Sequence, residues 1–283
     1  MSKIDQFESV FKAADKTPFQ FERMQVNSVL LVTDLYDPDA AEYGEKVRLA
    51  FPNLGTDSTK WSCLDRALLP SVDGFLGEIK RLAPDFIFTF RNLLTPATEH
   101  PYSLGVHLDV MTQATDIPIL VLPSPHREDS PELRTVKRVM AITDHMAGQN
   151  RLVSIAASLT PPDGELWLSH VEDETTFERY IQTISKIPDI ETDVAKVRIL
   201  EQLLKEPRDY VNSCRKGLAD CGFKMQVHEI VTLGHRLRDY RQLLDQHQID
   251  LLVLNTKDQD QLAMHGVAYP LSVELRNTPL LLL

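Results

Sequence analysis

Val29-Leu30-Leu31-Val32-Thr33-Asp34 returns 110 positions later as Val139-Met140-Ala141-Ile142-Thr143-Asp144, an apolar run without alternation that closes on the same Thr-Asp pair. A run with no polar face reads as a strand buried on both sides, as in a parallel sheet. Two further pairs follow in the same order. Pro84-Asp85-Phe86-Ile87-Phe88 matches Ile249-Asp250-Leu251-Leu252-Val253, and an amphipathic stretch, Val72 to Leu82 or Leu237 to Gln246, precedes each. Gly105-Val106 stands 13 residues before Pro118, and Gly266-Val267 stands 13 before Pro279. Each Pro opens an apolar run, Ile119 to Leu122 or Leu280 to Leu283, at the strand position where a missing N–H does least harm. The chain is an internal repeat.

The copies are unequal, because Asp34 to Gly105 spans 71 positions and Asp144 to Gly266 spans 122. The extra length of the second copy holds a strand pattern, Glu165 to Val171, and a long helical region, Thr175 to Ala219. A further strand, Met225 to Val231, turns at Gly234. The first copy has room only for Lys60 to Leu64. The expectation is therefore about four strands in the first copy and five in the second. Helical stretches of crossover length between them predict α/β architecture: two doubly wound parallel-sheet, Rossmann-like domains in tandem, the first truncated. Pro188 and Pro207 are expected to break the helical region into pieces.

The stretch Ser124 to Glu132 is polar with two prolines, which places the boundary there. The organisation expected is an N-terminal arm over 1–24, a first domain over 25–128 and a second over 129–283. Ile4, Phe7, Val10 and Phe11 have the spacing of one helix face, so the arm is expected to pack on the body. Four leucines at a sheet edge would be an aggregation hazard unless covered. Pairing the two terminal strands across a pseudo-twofold axis would cover both.

Among 283 residues, 43% are hydrophobic and 25% charged, which excludes a disordered or fibrous chain. The formal charge of -11 argues against nucleic acid or an anionic membrane as partner. Met1 to Lys16 is polar where a signal peptide would be apolar, so a cytoplasmic location is expected. Cys63, Cys214 and Cys221 show no Cys-x-x-Cys spacing and read as reduced thiols.

These repeated elements resemble those of a tandem universal stress protein, a family of the adenine-nucleotide-binding α/β superfamily. The resemblance covers the second copy almost entirely, and Val29 to Asp34 and Pro84 to Leu122 in the first. It implies that some members bind ATP through Gly-x-x-Gly, nine residues, then Gly-Ser or Gly-Thr. Glycines admit backbone N–H groups to the phosphates, and a helix N-terminus adds positive potential. This sequence departs from that pattern. Asn255 to Asp260, with Asp258 and Asp260, replaces the first two glycines in one copy, and Phe90-Arg91-Asn92-Leu93 replaces them in the other. Gly105 and Gly266 remain, but Val106 and Val267 stand where the hydroxyl belongs. No cofactor is expected, and ATP or AMP is disfavoured.

By position, the resemblance makes Asp34, Gly105, Asp144, Asn255, Gly266 and Val267 candidate ligand contacts. Asp34 and Asp144 would lie near adenine and ribose, and their alternative role is capping. Gly105 and Gly266 serve equally well as close-packing glycines. Histidines His145, His170, His235 and His265 fall at strand ends; Asp144, His145 and His265 are the set to consider for a metal. No nucleophile elbow, Walker lysine or dinucleotide glycine motif is present. The expected function is non-catalytic, through a protein partner or a small molecule, in a stress response that the resemblance implies. The alternative is a small-molecule sensor using the crevice around Asp144, Asn255 and Gly266, with weak ATP hydrolysis third. A homodimer of pseudo-dimeric chains is expected.

Overall fold

The computed structural model describes residues 18–69, 72–95, 102–143, 146–256, 264 and 266–283. The first half runs β1 (Ser28–Val32), α1 (Asp39–Ala50), β2 (Lys60–Leu64), α2 (Val72–Leu82), β3 (Phe86–Phe90), α3 (Val106–Ala114) and β4 (Ile119–Leu122). The second runs β5 (Arg138–Ile142), α4 (Asn150–Leu159), β6 (Glu165–Asp173), α5 (Glu174–Ile184), α6 (Thr192–Asp220), β7 (Gln226–Gly234), α7 (Arg236–Gln246), β8 (Leu251–Leu254), α8 (Ala268–Glu274) and β9 (Leu280–Leu282). Four strands and five form one nine-stranded sheet, in the order β2-β1-β3-β4-β9-β8-β5-β6-β7.

All pairs within each half are parallel. The halves meet where β4 and β9 run antiparallel, with Ile119 opposite Leu282, Leu120 opposite Leu281 and Val121 opposite Leu280. The leucine edge is thus covered as the repeat predicted, and Leu280 and Leu281 are completely buried. Thr256 finishes the seam, its N–H and hydroxyl both donating to the Leu283 carbonyl, at 2.9 and 2.8 Å. The core strands β1, β3, β4, β5, β8 and β9 are apolar on both faces because helices cover both.

Two outer strands remain. β7 is nine residues long, and Arg208 and Arg215 of α6 donate to its Val231 and Val227 carbonyls at 3.3 and 3.4 Å. Covering those acceptors blunts an edge that could otherwise recruit another strand. Residues 18–24 of the arm strap the second half. The Phe19 and Glu22 N–H groups donate to the hydroxyls of Ser213 on α6 and Ser154 on α4, at 3.0 and 2.9 Å. The apolar residues Ile4, Phe7, Val10 and Phe11 lie outside the described residues.

One expectation fails. Pro188 does separate α5 from α6, but Pro207 lies inside α6, which continues unbroken to Asp220. Pro207 is buried and opens the face that continues through Tyr210, Val211, Cys214 and Leu218. Packing of that face offsets the lost N–H, worth about 3 kcal/mol in a free helix.

Candidate functional site

The carboxyl ends of all strands within a half line one side of the sheet, where open α/β sheets bind ligands. In the first half that crevice is occupied by the chain. The Asp34 carboxylate accepts from the Leu94 N–H at 2.9 Å and lies 2.5 Å from His126 Nε2, with its side chain 10% exposed. Asp34 therefore caps the turn after β3. Asn92 and Leu94 of that turn have left-handed φ values of 56° and 63°. Leu93 and Leu104 are buried beneath it, and the Asn92 N–H donates to the Leu104 carbonyl at 2.9 Å. Gly105 has φ 88°, and a Cβ there would stand 2.9 Å from the Asn92 Cα. Gly105 is thus required for close packing against the turn Arg91 to Leu94.

Arg91 adds to the closure. It is 4% exposed, and its guanidinium donates to the Val273 and Leu275 carbonyls at 3.2 and 2.5 Å, at the end of α8. Burial, with Arg127 and Arg276 nearby, pushes it down to about 9. It fastens the first half to the last helix of the second.

The second half keeps a cavity of about 730 Å³. Its wall is built from Asp173 at the end of β6, His235 after β7, Arg236, Arg238 and Arg241 on α7, Gly266 and Val267 before α8, and Glu274 at its end. Gly234 makes the β7 to α7 turn, because a Cβ there would collide with the Asp239 carboxylate. That carboxylate accepts the His235 N–H at 3.0 Å and caps α7. Gly266 takes φ 58° as the chain enters α8.

Charge in the cavity is mixed. Arg241 pairs with Glu274 at 2.8 Å, Arg236 donates to the Val171 carbonyl at 3.0 Å, and His235 lies 3.5 Å from Glu174. Burial raises the Asp173 carboxyl, but hydrogen bonds from Thr176 together with Arg236 and His235 outweigh it and hold the group below the usual carboxylate range. Asp173 is ionised at neutral pH. The arrangement can hold a polar ligand bearing both donor and acceptor groups.

Of the expected contacts, Gly266 and Val267 line this cavity, whereas Asp34 and Gly105 belong to the closed first half. Asn255 follows β8 and donates through Nδ2 to Gln149 Oε1 at 2.7 Å, beside α4. Asp144, His145, His265, Asp258 and Asp260 lie outside the described residues, so the speculative metal set does too. Among the described residues no group of three His, Cys, Asp or Glu side chains is placed to hold a metal. His170 is 2% exposed, with its ring nitrogens 3.3 Å from the Thr143 carbonyl and 3.2 Å from Glu172, a core histidine. The sequence reading passed over Arg236, Arg241, Asp173 and Glu274. Their only signal was the arginine run after Thr232-Leu233-Gly234-His235.

No family model matches the sequence. No curated protein matches it either. Among solved structures, the fold is similar to a putative universal stress protein from Pseudomonas aeruginosa UCBPP-PA14, at 12% identity and TM-score 0.48, over 91% of this chain and 93% of that one. A universal stress protein from Archaeoglobus fulgidus is similar at 11% identity and TM-score 0.46, over 92% and 96%. A protein of unknown function from P. aeruginosa PAO1 gives 12% identity and TM-score 0.47, over 91% and 92%. The class that the strand order itself defines is a tandem of two doubly wound α/β halves joined edge to edge. No helix among the described residues is long and apolar enough to cross a membrane.

Proposed function

We propose that this protein acts by binding rather than catalysis, as a small-molecule sensor whose ligand enters the second half. The cavity of about 730 Å³ beside Gly266 and Val267 carries this reading, because it joins two positions expected from the sequence to a set of arginines and carboxylates. A site of that size suits a metabolite-sized ligand. The ligand chemistry supported is polar, with both a negative group for Arg236 and Arg241 and a donor group for Asp173. A triphosphate is disfavoured by the lost glycines and by Asp258 and Asp260. A stress role follows from the resemblance in sequence pattern. The runner-up, a scaffold for another protein, keeps the same fold and leaves the cavity unused.

The test is native mass spectrometry of gently purified protein, then a thermal-shift titration with ATP, AMP, amino acids and sugar phosphates. Binding at a hundred times Kd would stabilise by about 2.7 kcal/mol. Val267→Trp, which puts a bulky ring on the cavity wall, is expected to reduce the shift while leaving the unliganded melting temperature within a few degrees. An unchanged shift in that variant would place the ligand elsewhere, and a bare mass without any shift would favour the scaffold.

A further inference from the structure

Arginines converge at the seam between the halves, in a chain whose formal charge is -11. Arg91 follows β3, Arg127 lies in the segment after β4, and Arg276 lies between α8 and β9. All three gather at the carboxyl end of α8. Arg91 donates to the Val273 and Leu275 carbonyls at 3.2 and 2.5 Å, and Arg127 Nη1 donates to the Arg276 carbonyl at 3.1 Å. A helix carboxyl end favours cations, but its partial charge is small against three guanidiniums.

Carboxylates do not balance the cluster. Arg127 holds Asp129 through Nε and Nη2 at 3.0 and 2.6 Å, and among the described residues no other carboxylate pairs with any of the three arginines. Burial above all, then Arg127 and Arg276, pushes Arg91 down, so the three side chains act on one another. Arg276 also adds to the hydrogen bonds from Arg127 that hold the Asp129 carboxyl below the usual range, which sets it beside the same pair. Its guanidinium lies over the Tyr102 ring, 5.8 Å from the centroid. That contact uses the flat face and leaves the N–H edge for another group.

Asp129 is the member most easily displaced. Its side chain is 76% exposed, whereas that of Arg127 is 15% exposed. An exposed carboxylate contributes little to such a pair, so a stronger anion takes its place at small cost. That anion must carry more than the single charge of a carboxylate. A phosphate dianion does, and its oxygens match the guanidinium fork.

We propose that Arg127 and Arg276, with Arg91 buried behind them, form a binding site for the terminal phosphate of a small soluble molecule, which displaces Asp129 from Arg127. None of the three arginines lines the cavity of the second half, so the site is a separate one. It also touches both halves, because Arg91 and Arg127 belong to the chain before β5 and Arg276 to the chain after it.

Equilibrium dialysis of the full chain with labelled pyrophosphate, at fixed ionic strength, tests the site. Arg127→Gln and Arg276→Gln are each expected to weaken binding by about tenfold, the loss of a charge-assisted contact. Asp129→Asn is expected to tighten it by about threefold, because the competing charge is gone. Citrate, a polycarboxylate of comparable charge, is expected to compete poorly. Arg241→Gln, in the cavity, is expected to leave the affinity unchanged, and unliganded melting temperatures within a few degrees of the parent check folding. Absence of pyrophosphate binding would overturn the proposal, as would equal affinity in the Arg127→Gln and Arg276→Gln variants. A loss in Arg241→Gln alone would overturn it by placing the anion in the cavity, and competition by citrate as strong as by phosphate would overturn the ligand class.

Discussion

At the residue scale, the repeat is held by a pair of aspartates that no ligand needs. Asp85 accepts the N–H groups of Asn27 and Ser28, at 2.8 and 2.9 Å, where β1 begins. Asp250 accepts those of Lys137 and Arg138, at 3.0 and 2.8 Å, where β5 begins. The same carboxylate sets the same strand in each half, which is why the Asp recurs. Asp250→Ala should lose two charge-assisted bonds and about 2 kcal/mol, read as a lower denaturant midpoint. Two of the three cysteines, by contrast, are held in the thiol form. Burial, helped by Asp65 and Asp37, pushes Cys63 up to about 11, and burial pushes Cys214 up to about 12. The Cys63 value leaves roughly a hundredfold less thiolate at neutral pH than an ordinary thiol. A disulfide reagent at pH 7 should therefore modify Cys63 slowly and Cys214 only after denaturation; prompt reaction of either would revive a redox role.

At the element scale, most helices and strands were legible because their periodicity is local. Val72 to Leu82 and the stretch ending at Gln246 became α2 and α7, since apolar spacing near 3.6 needs only neighbouring residues to read. Pro207 was not legible. Its local rule is sound, but the face formed with Tyr210, Val211 and Cys214 packs on the sheet and outweighs it. Pro207→Ala restores an N–H opposite the Leu203 carbonyl and trims a buried ring, opposing effects of about 3 and 2 kcal/mol. The net expectation is a stabilisation of about 1 kcal/mol in thermal unfolding. A loss of stability would show that the ring's packing dominates.

At the scale of the whole molecule, one sheet spans both halves through the β4 and β9 seam, so neither half has a free apolar edge there. Leu281→Asp places a carboxylate at a position with no exposure, opposite Leu120. It should cost more than about 4 kcal/mol and yield aggregated protein on expression. A soluble variant with native melting would mean that the seam is not what holds the halves together. The two crevices also diverge at this scale, one closed by Asp34, Arg91 and Asn92, the other open beside Gly266.

By itself the sequence determined that the chain is a repeat, that its central strands are buried and run parallel within each copy, that the copies hold four and five strands, and that the first two nucleotide glycines are missing from each. Each of these depends on residue type and spacing along the chain, which local backbone preference and apolar burial translate directly into elements. Only the tertiary structure decided that Asp34 is spent on Leu94 and His126, that Pro207 survives inside a helix, and that Asp173, Arg241 and Glu274 share a cavity. Those outcomes rest on contacts between segments tens of residues apart, where packing and charge pairing, rather than spacing, choose which side chains meet.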